Sequence, residues 1–428
     1  MSITVIGAGF AGCEAAYYLA ERGINVTLYE MKPNKKSPAH VMDTFAEPVC
    51  SNSFKASKHA SAAGMLKSEM RYMGSLLLEC ADKCSLPAGG ALAIDRRIFS
   101  ELVTEKITSH KNITVKNKEF ETFDKGIHIV ASGPLTSDKF STALSKTLGN
   151  SLFFYDAAAP VIETDSIDFE KAFFASRYNK GTGDYINCGL NKDNYLSFYN
   201  ELVSAATAKL HDFDENPNVY EGCMPVEILA KRGVDSLRFG ALKPVGIRHP
   251  KTDENYYAVV QLRKENAQGT YYNMVGFQTN LTFLEQQRVF KMIPGLEEAR
   301  FVRYGVMHKN TYIDSPRLLD KFLRLKTNPD IFFAGQITGT EGYMESAASG
   351  IYSAINAFNQ YKNTPLIQLS PFTMTGALIS YITDEYIKDF QPMGANMGLL
   401  PPLDEKIRDK EKKYQEYYNR GIKLLNTN

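Results

Sequence analysis

The chain has 428 residues, 44% of them hydrophobic, with a formal net charge of +1, six cysteines and no tryptophan. That length exceeds what one hydrophobic core supports, so two or three domains are expected, and no apolar run approaches the ~18–20 residues of a membrane span. The near-neutral charge speaks neither for nor against nucleic acid, while scattered cysteines without CxxC or Cys/His spacing leave no metal site and suit a reducing cytoplasm.

The first thirty residues carry the clearest local signal. Ser2 to Ile6 reads as an apolar strand, not a secretory leader. It runs into Gly7-Ala8-Gly9-Phe10-Ala11-Gly12 and then a helix-forming stretch, Cys13 to Ala20. A second strand, Asn25 to Tyr29, ends on Glu30. In a dinucleotide site the first glycine makes the tight turn, the second lets backbone approach a pyrophosphate, and the third lets helix pack on strand. The helix N-terminus offers free N–H groups to phosphate, and the acid can bind a ribose hydroxyl. Gly7, Ala8, Gly9, Ala11, Gly12 and Glu30 are therefore expected cofactor contacts. Cys13, in the first turn of that helix, reads as a small residue beside the phosphates.

Residues 60–110 read as helices around a tight loop, Pro87 to Ala91, and residues 112–131 as short strands. A second glycine turn follows Ile127 to Ala131, at Gly133. Ser151 to Asp168 reads as a strand-rich return to the nucleotide sheet. Residues 196–212 read as helix, after which the character changes. Tyr256 to Leu262 and Tyr271 to Phe277 are strand-like and can pair through the loop 265–270. Phe283 to Met292 reads as helix, stopping at Pro294-Gly295. A third glycine turn, at Gly335 and Gln336 with Gly342 and Tyr343 just beyond, follows the apolar strand Asp330 to Phe333 and precedes a small-residue helix at Ser346 to Gly350. The tail, Asp404 to Lys423, reads as a charged, solvated helix. Three strand-end glycine turns fit a resident FAD better than a simple NAD site. The expected fold is α/β: a Rossmann-like FAD-binding domain at 1–195 and 319–428, interrupted by an inserted α+β domain at 196–318.

Two cysteines stand in unusual settings. Cys50 ends an apolar run and leads into Ser51-Asn52-Ser53. Cys223 follows Gly222 and precedes Pro225, which suits the first turn of a helix Val226 to Lys231, where thiolate is favoured. From periodicity alone each reads as a small core residue more often than as a nucleophile. The stretch after Cys223 is basic, with Arg232, Arg238, Lys243 and Arg248 among few acids and with tyrosines interleaved. Such a surface is either a solvated face or a place where phosphates are neutralised and bases stacked.

Taken together these blocks resemble one family, the folate- and FAD-dependent tRNA (uracil-5-)-methyltransferases (TrmFO), including its ribosomal-RNA-methylating relatives. The matching segments include Gly7 to Glu14, Val49 to Ser53, Pro87 to Ala93, Glu221 to Glu227, Tyr257 to Arg263, Val275 to Thr279, Arg303 to His308 and Phe333 to Ser349. The resemblance implies 5-methyluridine formation in the tRNA T loop, or the same chemistry on a uridine of 23S ribosomal RNA. It implies FAD as cofactor, 5,10-methylenetetrahydrofolate as one-carbon donor and NAD(P)H as reductant. Cys223 would add to uracil C6, Cys50 would assist proton transfer or guard the reactive adduct, and Tyr343 would lie against the flavin. The chain departs from the family pattern at Val41-Met42, at Pro48, where Leu is usual, at Asn280, where His is usual, and at Thr282, where Lys is common. A reading from another class is a flavin oxidoreductase acting on a small metabolite, which needs neither Cys223 nor the basic stretch.

Overall fold

The N-terminal strand lies inside a six-stranded sheet because Ile3, Val5, Val26 and Leu28 are all buried, as strands covered on both faces must be. The order is Arg324–Leu325, Asn328–Phe333, His128–Val130, Ile3–Ile6, Val26–Glu30 and Ile113–Asn117. Only the first of these pairs antiparallel. The structure, a computed structural model, describes residues 2–37, 39–148, 152–179, 182–208, 224–266, 268–388 and 390–425. Helix Phe10–Glu21 packs closely on the late helix Tyr343–Tyr361. The small residues of the latter make that possible, since a Cβ on Gly350 would come within 2.3 Å of the Ala11 carbonyl oxygen.

A second, antiparallel sheet runs in the order Ala172–Ala175, Tyr185–Leu190, Ala258–Lys264, Tyr271–Met274, Val161–Glu163 and Phe301–Arg303. The hairpin expected across residues 265–270 is present, with Leu262 opposite Met274. Helices Lys192–Ser204, Val226–Lys231 and Phe283–Phe290 belong to the same core, through Phe198, Val226 and Phe290. The expected domain start at residue 196 is too late. Strands at 161–163, 172–175 and 185–190 already pair within this second sheet. Nor do the described residues of the stretch 151–168 return to the nucleotide sheet: Leu152–Ala157 pairs with Met307–Tyr312 as a separate ribbon. Short apolar runs announce strands, but not which sheet they join.

Between the two sheets sits a small three-stranded one, Ser53–Ala56, Ala91–Ile94 and Ser85–Leu86. The tight loop at 87–90 therefore joins strands, although the segment reads as helical on either side. The charged tail is the helix Lys410–Leu425. Among the described residues no helix is long and apolar enough to cross a membrane.

Candidate active site

The three glycine turns close the C-terminal ends of three neighbouring parallel strands, at Gly7, Gly133 and Gly335, with φ of 98°, 72° and 82°. Ligands of open parallel sheets bind outside such ends. At the first turn the steric demands are explicit. A Cβ on Gly7 would lie 2.5 Å from the Ala131 carbonyl oxygen, and one on Gly12 would lie 1.8 Å from that of Gly7. A Cβ on Gly9 would meet nothing within 4 Å, so the backbone there faces open space. The helix begins at Phe10 with no side-chain cap and no acid in its first turn. Its first N–H groups thus lack intrahelical partners and side-chain acceptors, the condition for an anion site. Glu30 is buried, and its carboxylate accepts from Ala8 N (2.9 Å) and Lys32 N (3.0 Å), locking the turn to the second strand. A cavity of about 60 Å³ lies between Gly7, Glu30 and Ser132. Burial drives the Cys13 thiol far up from its ordinary range, which leaves it a packing residue.

A larger cavity, of about 290 Å³, shares Leu135 with the first and is bordered by Cys50, Gln336, Gly342 and Tyr343. Those four site candidates, scattered over 294 positions of chain, meet here. Ala158 and Gln278 reach the cavity from the side of the inserted sheet. Gly342, at φ 123°, leaves room for an ion pair, since its Cβ would collide with Glu345 Oε2 (2.2 Å) and crowd Lys55 Nζ (2.9 Å). Lys55 and the buried Glu345 pair at 2.6 Å, and Gln336 donates to Glu341 at 2.6 Å. Of these polar partners only Gln336 stood out in the sequence.

The Cys50 loop is fastened from three directions. Cys50 N (2.8 Å) and Ser51 N (3.2 Å) donate to the Tyr343 hydroxyl oxygen, which lies 2.9 Å from Cys50 Sγ. The Tyr343 ring stacks on Phe10 at 4.6 Å and 19°, so one of its faces is covered by the glycine-turn helix. Burial pushes its hydroxyl far above the ordinary phenol range, so it is protonated at any physiological pH. Arg96, at the start of helix Arg96–Thr108, donates to Pro48 O (2.7 Å) and Val49 O (3.3 Å). Arg263, from the inserted sheet, donates to Asn52 Oδ1 (2.8 Å) and Ser51 Oγ (2.7 Å). Glu265 pairs with Arg96. Arg303 stands nearby with its Nε and Nη2 buried and, among the described residues, without a hydrogen-bond partner. Burial and the neighbouring Arg96 bring it down to about 10.

Cys223 lies outside the described residues. The chain just beyond it forms the expected helix Val226–Lys231. Val226 N donates to Gln278 O (2.7 Å), and Gln278 borders the Cys50 cavity. The atypical Asn280 and Thr282 have structural duties. Asn280 donates to Ala208 O (3.1 Å), and Thr282 caps helix Phe283–Phe290. The basic residues do not gather at the cavity. Arg238 lies over the Tyr257 ring at 3.6 Å and pairs with Asp235. Arg248 pairs with Asp253 at 2.7 Å on a separate cleft of about 840 Å³ beside the edge strand Ala172–Ala175. Arg232 and Lys243 are exposed.

A family model described as glucose inhibited division protein A matches residues 2–365. The methylenetetrahydrofolate–tRNA-(uracil-5-)-methyltransferase TrmFO of Acetivibrio thermocellus is 55% identical over 425 residues, 99% of this chain and 97% of that protein. Its namesake from Fusobacterium nucleatum is 54% identical over 99% of this chain and 98% of its own length. Among solved structures, Aquifex aeolicus GidA in its form II crystal superposes with a TM-score of 0.71 at 16% identity, covering 100% of this chain and 73% of that one. The form I crystal gives 0.72 over 99% and 76%.

Proposed function

The chain belongs to the TrmFO family of methylenetetrahydrofolate–tRNA-(uracil-5-)-methyltransferases, and from that premise we propose that it forms 5-methyluridine in the T loop of tRNA, with FAD as resident cofactor, 5,10-methylenetetrahydrofolate as carbon donor and NAD(P)H as reductant. Gly7, Ala8, Gly9, Ala11 and Gly12, with Glu30, fit the pyrophosphate and ribose of FAD: the helix N-terminus is uncapped and Gly9 faces open space. Gly133, Gly335, Gln336, Gly342 and Tyr343 would border the rest of the cofactor. Bound FAD supplies the hydride and the hand-over of the one-carbon unit.

The protein's own residues must make uracil C5 reactive and manage its proton. C5 is a weak nucleophile until a thiolate adds to C6 and turns C5 into an enolate-type carbon. Cys223 is assigned that addition, and the tie between Val226 and Gln278 supports its approach to the cavity. Once C5 has formed its new bond, its hydrogen must leave as a proton. Cys50, held against Tyr343 at the cavity wall, is assigned to receive it. The observation that carries this reading is that Cys50 and Tyr343 meet at one cavity beside the glycine turns. RNA contacts from Arg232, Lys243 and Arg248 belong to the same proposal, whereas Arg238 is engaged within its own domain.

The test is to incubate the flavin-loaded protein with NAD(P)H, labelled methylenetetrahydrofolate and either tRNA or 23S ribosomal RNA lacking 5-methyluridine. Label in tRNA is expected, and label confined to ribosomal RNA would move the substrate assignment there. Cys223→Ala should abolish transfer while flavin absorbance persists; unchanged transfer would remove Cys223 from the chemistry.

A further inference from the structure

The hydrogen bonds around Tyr343 assign the protonation of Cys50. A phenol hydroxyl has one proton and two lone pairs. Both lone pairs are addressed by backbone donors, Cys50 N at 2.8 Å and Ser51 N at 3.2 Å. Its single proton is thus left for Cys50 Sγ, 2.9 Å away. The sulfur is the acceptor in that contact, and a thiolate is the stronger acceptor.

The charges around the loop point the same way. Three guanidiniums lie around it, those of Arg96, Arg263 and Arg303, but among the described residues only one carboxylate, Glu265, is paired with any of them. Arg96 and Arg263 are both buried. Of the other charged groups at the cavity, Lys55 is paired with Glu345, and the Glu341 carboxylate accepts a hydrogen bond from the neutral amide of Gln336. Arg303 presents Nε and Nη2, the edge that grips oxyanions side-on, yet this edge is buried and finds no hydrogen-bond partner among the described residues. Buried cations without a counter-charge are costly. Both Arg263 and Arg303 act electrostatically on Cys50, which lies among them. A thiolate at Cys50 supplies negative charge where the arginines lack it.

We propose that Arg303 is a positioning residue for Cys50: with Arg263 it supplies the positive charge that holds the Cys50 sulfur as a thiolate hydrogen-bonded by Tyr343. In this state Cys50 can take up one proton to become a thiol, while Tyr343 keeps its own proton. The thiolate assignment stands on these contacts alone; only the origin of the proton, uracil C5, rests on the proposed function. Arg303 acts through Cys50 and needs no contact with RNA.

The experiment measures alkylation of Cys50 by iodoacetamide as a function of pH, in the flavin-loaded protein without folate or RNA. Tryptic mass spectrometry isolates the signal, because the peptide from Ser37 to Lys55 holds Cys50 as its sole cysteine. The wild-type midpoint is expected below the ~8.5 of a free thiol. Arg303→Gln should raise it by about one unit, slowing alkylation at neutral pH roughly tenfold while leaving the alkaline plateau unchanged. Arg303→Lys should restore the low midpoint, which a purely structural role would not do. An identical profile in flavin-retaining Arg303→Gln would overturn the proposal. Should Arg303→Gln fail to fold, the wild-type midpoint decides: a value at or above ~8.5 overturns it and a lower one supports it. Because no RNA is present, failure here leaves the methyl-transfer test untouched.

Discussion

The glycine cradle and the Cys50 loop adjoin the same group of cavities but are built by opposite means. The cradle comes from one contiguous stretch, Gly7 to Glu30, and its demands are backbone sterics: a positive φ at Gly7 and a 1.8 Å clash awaiting any Cβ at Gly12. The Cys50 loop is held by side chains from positions 96, 263 and 343, drawn from the starts of two helices and one strand of the antiparallel sheet. A steric site is intolerant of added atoms yet indifferent to charge. An electrostatic site tolerates modest changes of shape but depends on every partner arriving. Where the two meet, Phe10 of the cradle helix supports the ring of Tyr343, whose hydroxyl holds Cys50.

The difference can be broken at its steric end first. Gly12→Val forces Cβ into the Gly7 carbonyl and should cost more than about 3 kcal/mol, with loss of flavin from the purified protein. Thermal unfolding and flavin absorbance after desalting check this; a flavin-bound, fully stable variant would show that the cradle is not sterically defined.

Charge also reaches the cradle, through Glu14 on its helix. Glu14 is buried, accepts from Ser75 Oγ, Leu76 N and Leu77 N, and is raised by burial to about 7 from an ordinary 4.5. The folded protein then binds a proton between pH 4.5 and 7 that the unfolded chain releases, so stability falls as pH rises through that window. The expected loss is about 1.4 kcal/mol per pH unit, about 3 kcal/mol across the window. Urea unfolding at pH 5 and pH 7.5 should show this slope in the wild type and a shallower one in Glu14→Gln. Equal slopes would place no proton on Glu14.

The smallest effect on stability and the sharpest contrast come from Arg263→Met. It leaves Asn52 Oδ1 without its donor and Ser51 Oγ with only the Ser53 N–H, costing about 2 kcal/mol. Flavin should be retained, because the cradle is untouched, while methyl transfer falls. Loss of flavin instead would mean that the two regions form one unit.

Much of the cradle was readable in the chain, because a tight turn, a close helix and an acid at the end of the second strand are local demands stated within one short stretch. The two later glycine turns, Gly133 and Gly335, were readable for the same reason, as was the hairpin across residues 265–270. The beginning of the inserted domain was not: Val161–Glu163 looks like any short strand, and its partners lie more than a hundred residues away at Tyr271–Met274 and Phe301–Arg303. The roles of Arg96, Arg263, Arg303 and Glu265 at Cys50 were equally hidden, although Arg263 and Arg303 fall in the matching segments, since an arginine on a strand or at a helix start is an ordinary surface residue until burial removes its water. The sequence alone thus determined the fold class, the family and the glycine turns, whose physics is steric and short-ranged. Tertiary structure decided which sheet each short strand joins and how charge gathers around Cys50, because pairing and desolvation exist only once distant segments meet.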